Sequence, residues 1–252
     1  MTFSLNTTVI KPEENDKINT AIILLHGYGG DGKDISAISY NWKRFLPNTV
    51  FLSPNGHETC PLNPSGYQWF DLSKDDPKYI IEQSIKGEKI IQKFIQEVKQ
   101  MYKLDNSKIC LSGFSQGCMM SINLGLTSEK SFNCIVGFSG KIIDKKHLSE
   151  RISSKSRMLL LHGELDTVVP PNNLLDAKDF LLRNKVEVLV VSNGGIRPHP
   201  NSSINLKIVS EGLDVADDWI AENVDSKDFV IIITEKLHKV HSIYGILQIH
   251  II

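Results

Sequence analysis

The feature that most constrains this chain is a set of six short apolar runs in which polar and apolar side chains do not alternate. They are AIILLHG (21–27), TVFLSPN (49–55), KICLSGF (108–114), CIVGFSG (134–140), RMLLLHG (157–163) and VEVLVVS (186–192). A strand with one face in water alternates, whereas one covered on both faces does not. Helical patterns lie between most of the runs. In the clearest, Ile91, Phe94, Ile95, Val98, Met101 and Tyr102 recur at spacings that make one apolar stripe, which predicts a helix over 77–102. Further helices are expected near 31–45, 116–126, 172–183 and 211–222. Strand and helix alternating in this way give a mostly parallel sheet with helices on both faces. In such sheets chemistry collects at the carboxyl ends of the strands.

A chain of 252 residues, 41% of them hydrophobic, suffices for one domain with a sizeable core. The 28 basic and 29 acidic side chains balance to a net charge of -1 with no long basic run, which argues against a nucleic-acid partner. The opening MTFSLNTTVIKPEEND lacks the basic-then-apolar order of an export signal, and no apolar stretch approaches the ~18 residues that span a bilayer. The expectation is a soluble, cytoplasmic protein with no integral membrane segment. Cys60, Cys110, Cys118 and Cys134 form no CxxC pair and read as small apolar residues in a reducing compartment. No metal site is suggested.

Three strand-end loops carry the residues that could do chemistry. LLHGYGGDGKD fits a phosphate loop from Gly27 to Lys33, but Asp34 stands where a magnesium-binding hydroxyl is required, and its carboxylate would repel phosphate. The same glycines fit an HGxG loop whose backbone N–H groups point at a developing oxyanion, or a plain turn, so this loop alone does not decide. GFSQG (113–117) sits between an apolar strand and a helix, the context of a GxSxG elbow, with Ser115 as its nucleophile. Gly113 and Gly117 are required there because a nucleophile at positive φ brings its neighbours into close contact. In LHGELDTVVP, Asp166 is either a turn residue, for which Asp is common, or the acid that orients a catalytic imidazole.

Together LHGYGGDG, SPNGHETC, GYQWFDL, GFSQG and LHGELDTVVP resemble the carboxylesterase, phospholipase and acyl-protein thioesterase family of α/β-hydrolases, from about residue 9 to 223. The resemblance implies an α/β-hydrolase domain over 1–223, with Ser115 as nucleophile and Asp166 as acid. It also implies an oxyanion hole from the backbone N–H groups of Tyr28 and Gln116, and acyl contacts at Trp69 and Leu72. His26 and His162, each in an HG pair, match structural positions of the family. The implied activity is hydrolysis of single-acyl esters or thioesters, without a cofactor. Substrates would be short esters, lysophospholipids or S-acylated proteins.

The family places its histidine just before the final helix. That helix reads as SEGLDVADDWIAEN, and the slot before it holds Asn205 and Leu206. His199, in GGIRPHPNSS, lies in the same loop, 33 residues after Asp166, and the order Ser115, Asp166, His199 is that of this fold. Pro198 and Pro200 keep it out of helix and ladder. In one reading the loop is expanded and His199 is the base, which is preferred because loops tolerate insertion cheaply. In the other the base is lost and the chain is a catalytically impaired relative that still binds acyl groups. Residues 224–252, rich in isoleucine, form an atypical C-terminal extension expected to pack as an added element or as a homodimer contact.

Overall fold

The computed structural model describes residues 2–12, 18–44, 46–193 and 247–248. Its main sheet has, among the described residues, eight strands in the order β1-β3-β2-β6-β7-β8-β9-β10. The six apolar runs form its centre as β2 (Thr20–Leu25), β3 (Thr49–Pro54), β6 (Ile109–Phe114), β7 (Cys134–Phe138), β8 (Met158–Gly163) and β9 (Val188–Asn193). From β3 to β9 every neighbour is parallel. β1 (Thr7–Ile10) joins β3 antiparallel at one edge. At the other edge β10 (Leu247–Gln248) joins β9 antiparallel, so these two residues of the isoleucine-rich extension do add to the sheet. The rest of that extension, and the helix expected at 211–222, lie outside the described residues.

The central strands alternate between two buried faces rather than between core and water. Ala21, Ile23 and Leu25 of β2 face a core shared with α3 (Pro77–Tyr102), α4 (Gln116–Thr127) and α6 (Asn172–Arg183). Ile22 and Leu24 face a second core with α1 (Gly32–Ile35) and α2 (Ile38–Trp42), where Trp42, Phe51 and Phe138 are almost wholly buried. Burial on both sides is the reason the runs show no alternation. The expected long helix α3 is started by Asp76, whose side chain accepts from Lys78 N–H at 3.0 Å, with Pro77 in its first turn. It stops at Lys103, in the left-handed region at φ 56°.

Two expectations need revision. The helix read over 31–45 is broken into α1 and α2. Ser36 Oγ donates to Lys33 O and Ser39 Oγ to Ser36 O, so side chains take carbonyls that an unbroken helix would use. A hairpin of β4 (Glu58–Cys60) and β5 (Asn63–Gln68) was not foreseen, nor was the short α5 (Lys145–Ser149). Pro64 and Gly66 conceal β5, since both residues are rare in strands.

Candidate active site

Ser115 stands between the end of β6 and the start of α4 at φ 50°, ψ -112°. Such a backbone is strained for any residue with a Cβ and persists only where its surroundings enforce it. Here they do. A Cβ on Gly113 would lie 2.3 Å from the carbonyl carbon of Gly117, and one on Gly117 would lie 2.0 Å from Leu25 O. The elbow is pressed against itself and against β2, and Ser115 N–H donates to Phe138 O at 2.8 Å. Although Ser115 occupies the cap of α4, its hydroxyl makes no capping hydrogen bond. That hydroxyl is left available.

A pocket of about 70 Å³ opens over this turn, lined by Gly27, Tyr28, Phe114, Ser115, Ser139, Asp166, Val168 and Val169. The residues read as nucleophile, acid and one oxyanion donor therefore meet in one place. Asp166 is buried, and its Oδ1 accepts from the N–H groups of Val168 (2.9 Å) and Val169 (2.8 Å). Oδ2 has His162 Nε2 at 3.5 Å, beyond a strong hydrogen bond. His162 Nε2 lies 2.8 Å from Val169 O. A carbonyl only accepts, so Nε2 carries the hydrogen, and the Asp166 loop is tied to the end of β8.

The glycine-rich loop after β2 is fixed by His26. Gly56 N–H donates to its Nε2 at 2.8 Å, which leaves the hydrogen on Nδ1 to donate to Gly27 O at 2.7 Å. Burial pulls the His26 pKa down to about 4, against the raising effects of the Gly27 bond and Asp31. With both nitrogens engaged, His26 is a strut, as the HG pairing implied. The unforeseen hairpin completes the clamp. Gly29 N–H donates to Tyr67 O (2.9 Å), Tyr67 N–H to Gly30 O (2.8 Å) and Asn63 Nδ2 to Gly29 O (2.7 Å). Burial, reinforced by the Cys60 thiol and by Asp71, pushes the Tyr28 hydroxyl up to about 12.

Gln116 is the first residue of α4, where a backbone N–H has no carbonyl one helical turn behind it. Trp69 is fully buried and donates Nε1–H to His26 O at 2.9 Å, with its ring 4.9 Å from the imidazole. Leu72 is 43% exposed. Neither lines the pocket. His199 lies outside the described residues, as do Asn205 and Leu206. Among the described residues no group of three or more His, Cys, Asp or Glu could hold a metal ion, and no helix is long and apolar enough to cross a membrane. All four cysteines are free and buried.

A family model described as Phospholipase/Carboxylesterase matches residues 6–201. The chain belongs to this family. Acyl-protein thioesterase 1 of Schizosaccharomyces pombe is 26% identical over 195 residues, 73% of this chain and 84% of the relative. The protein of the same name from Gibberella zeae is 26% identical over 166 residues, 59% of this chain and 70% of the relative. Among solved structures, esterase PE8 superposes with a TM-score of 0.78 at 29% identity, covering 87% of this chain and 99% of that one. Arabidopsis thaliana SOBER1 gives a TM-score of 0.60 at 23% identity, over 77% and 97%, a likeness of fold. The fold is that of the α/β-hydrolases, and this member of the phospholipase/carboxylesterase family is a serine hydrolase.

A second family model, an uncharacterized YaiI/YqxD family, matches residues 177–236. A UPF0178 protein of Ruegeria pomeroyi is 45% identical over 56 residues, and one of Mesorhizobium japonicum 52% over 46. Those stretches are 22% and 18% of this chain, and the chain spans only about a third of these proteins, 36% and 30%. The two family models share 177–201, which includes His199. The stretch SEGLDVADDWIAEN falls inside the second match and beyond the end of the first.

Proposed function

We propose that this hydrolase cleaves single-acyl esters or thioesters through an acyl-enzyme on Ser115. Ser115 Oγ attacks the acyl carbonyl while His199 takes its proton. Asp166 holds the imidazole, and the Tyr28 and Gln116 N–H groups receive the oxyanion. Collapse of the tetrahedral intermediate breaks the ester or thioester bond, and the departing alcohol or thiol takes the proton from His199. Water then attacks the acyl-enzyme with His199 again as base, and Ser115 is regenerated. The observation that carries this reading is the strained Ser115, its hydroxyl uncapped, in one small pocket with Asp166. Trp69 acts from behind the glycine-rich loop, and Leu72 is the acyl contact at the surface. Two curated relatives are named acyl-protein thioesterase, which supports S-acylated proteins beside small acyl esters as substrates. Four free, buried thiols fit a reducing cytoplasm.

The test is hydrolysis of p-nitrophenyl acetate by wild type, Ser115→Ala and His199→Ala. Both variants should lose on the order of 10⁴-fold, because triad members act as a unit. An unimpaired His199→Ala would remove His199 from the mechanism.

One observation favours a second reading. His199 falls within the stretch shared with the YaiI/YqxD family, so we infer that the hydrolase part of the chain ends within 177–201 rather than at 223. On that division the loop bearing His199 belongs to the appended segment, and the chain is an acyl-binding relative without its base. Wild type inert towards both esters and fluorophosphonate probes would favour this reading.

A further inference from the structure

The pocket contains a second serine in the same unusual state as the nucleophile. Ser139 follows β7 as Ser115 follows β6, and the two strand ends are in register, with Gly113 opposite Gly137 and Phe114 opposite Phe138. Both carry the sequence Gly-Phe-Ser. Ser139 also sits at φ 50°, and its N–H donates to Leu161 O at 2.8 Å, one strand over from the Ser115 to Phe138 bond. Unlike Ser115, Ser139 is followed by Gly140 with no helix starting there, and a Cβ on Gly140 would lie 2.4 Å from Cys118 Sγ. It is 1% exposed, and among the described residues its Oγ has no hydrogen-bond partner.

A strained backbone and an unpaired buried hydroxyl are both unfavourable, so their coincidence in a catalytic pocket needs a reason. β7 lies between β6, which leads into Ser115, and β8, which leads into Asp166. Ser139 therefore stands between nucleophile and acid along the sheet edge. Across the same pocket, Asp166 has Oδ1 filled by two backbone N–H groups while, among the described residues, Oδ2 has His162 Nε2 at 3.5 Å and no other partner. Ser139 and Asp166 both line the same volume of about 70 Å³.

We propose that Ser139 is a positioning residue for Asp166, donating its hydroxyl to Oδ2 when the catalytic imidazole is in place. The bond would fix the carboxylate plane, and through it the ring that serves Ser115. The proposal rests on the reading of Asp166 as the catalytic acid.

The experiment compares wild type, Ser139→Ala, Ser139→Gly, Asp166→Asn and the double variant Ser139→Ala/Asp166→Asn in steady-state p-nitrophenyl ester hydrolysis, with thermal unfolding of each. Both Ser139 variants should lose roughly 10- to 100-fold in kcat with KM within about twofold, since a misplacement of about 1 Å at a catalytic group has that effect. Their unfolding midpoints should stay close to wild type, because one hydrogen bond contributes only about 1 kcal/mol and Ser139→Gly also relieves strain. In the Asp166→Asn background, Ser139→Ala should lose nothing further. Wild-type kcat in the two Ser139 single variants, or a fully additive loss in the double variant, overturns the proposal. If Asp166→Asn keeps the wild-type rate, the catalytic reading of Asp166 fails, and the proposed bond falls with it through a different variant.

Discussion

The side chain of Gln116 holds the backbone of Trp69: Oε1 accepts from Trp69 N–H at 2.8 Å, while Nε2 donates to Phe70 O at 2.8 Å. One residue after Ser115, Gln116 thus joins the elbow to the segment that stacks on His26 and, through it, to the glycine-rich loop. Gln116→Leu keeps the backbone N–H but strands two buried groups. The expected loss is about 2 to 4 kcal/mol of stability, from the desolvation of an unpaired donor and acceptor, together with a fall in kcat. Urea unfolding checks the first and ester hydrolysis the second. Unchanged stability would show that Trp69 is held by its indole contacts alone.

Particular residues explain what the sequence made legible. Ile22 and Ile23 point to opposite buried faces, so the apolar runs announced a doubly covered sheet. Gly113 and Gly117 announced the elbow, because the close approaches at both positions exclude any Cβ. Ser139 gave no such signal: in its Gly-Phe-Ser-Gly the second glycine follows at once instead of two residues on, and what sets it apart is a torsion angle and a missing partner. The clamp by Asn63 and Tyr67 was hidden because Pro64 and Gly66 mask a strand that lies outside the main sheet. Gln116 was read for its backbone N–H, and nothing in a sequence tells that its amide reaches residues 46 and 47 positions away.

His26 makes stability depend on pH in a defined direction. Its pKa is about 4 in the folded protein and 6.5 when exposed in the unfolded chain. Between these values the unfolded chain binds more protons, so the contribution is fully present above pH 6.5 and is lost as pH falls towards 4. The size is about 3 kcal/mol at 1.36 kcal/mol per pKa unit. His26→Gln should be less stable at neutral pH, yet show a shallower decline from pH 7 to pH 4.5 in denaturant titrations. Parallel declines for the two proteins would remove His26 as the source.

Glu88 of α3 is buried and is bonded by Arg151 through both terminal guanidinium nitrogens and by Asn123 Nδ2 at 3.0 Å, so α3, α4 and the turn after α5 meet on one carboxylate. Removing only the cation strands that charge. Arg151→Ala should lose about 3 kcal/mol, near the low end for a broken buried pair because Arg151 is partly exposed. Replacing both partners, Glu88→Leu with Arg151→Met, should recover most of the loss. A double variant no more stable than Arg151→Ala would mean that the pair contributes packing which Leu and Met cannot supply.

Ser115 offers a direct measure of the strain stored in the elbow. A non-glycine residue held in a sparsely populated region costs about 1 to 3 kcal/mol. Glycine adopts such torsions freely but loses about 0.5 to 1 kcal/mol more chain entropy on folding. Ser115→Gly and Ser115→Ala both delete the hydroxyl, and they differ in whether the strain persists and in the chain entropy of glycine. The glycine variant should therefore be the more stable by about 1 kcal/mol, a difference of roughly 2 to 4 °C in Tm for a domain of this size. Calorimetry of the two inactive proteins gives the answer. An alanine variant that melts as high as the glycine one would mean that the strain at Ser115 does not exceed the roughly 0.5 to 1 kcal/mol of chain entropy that glycine loses.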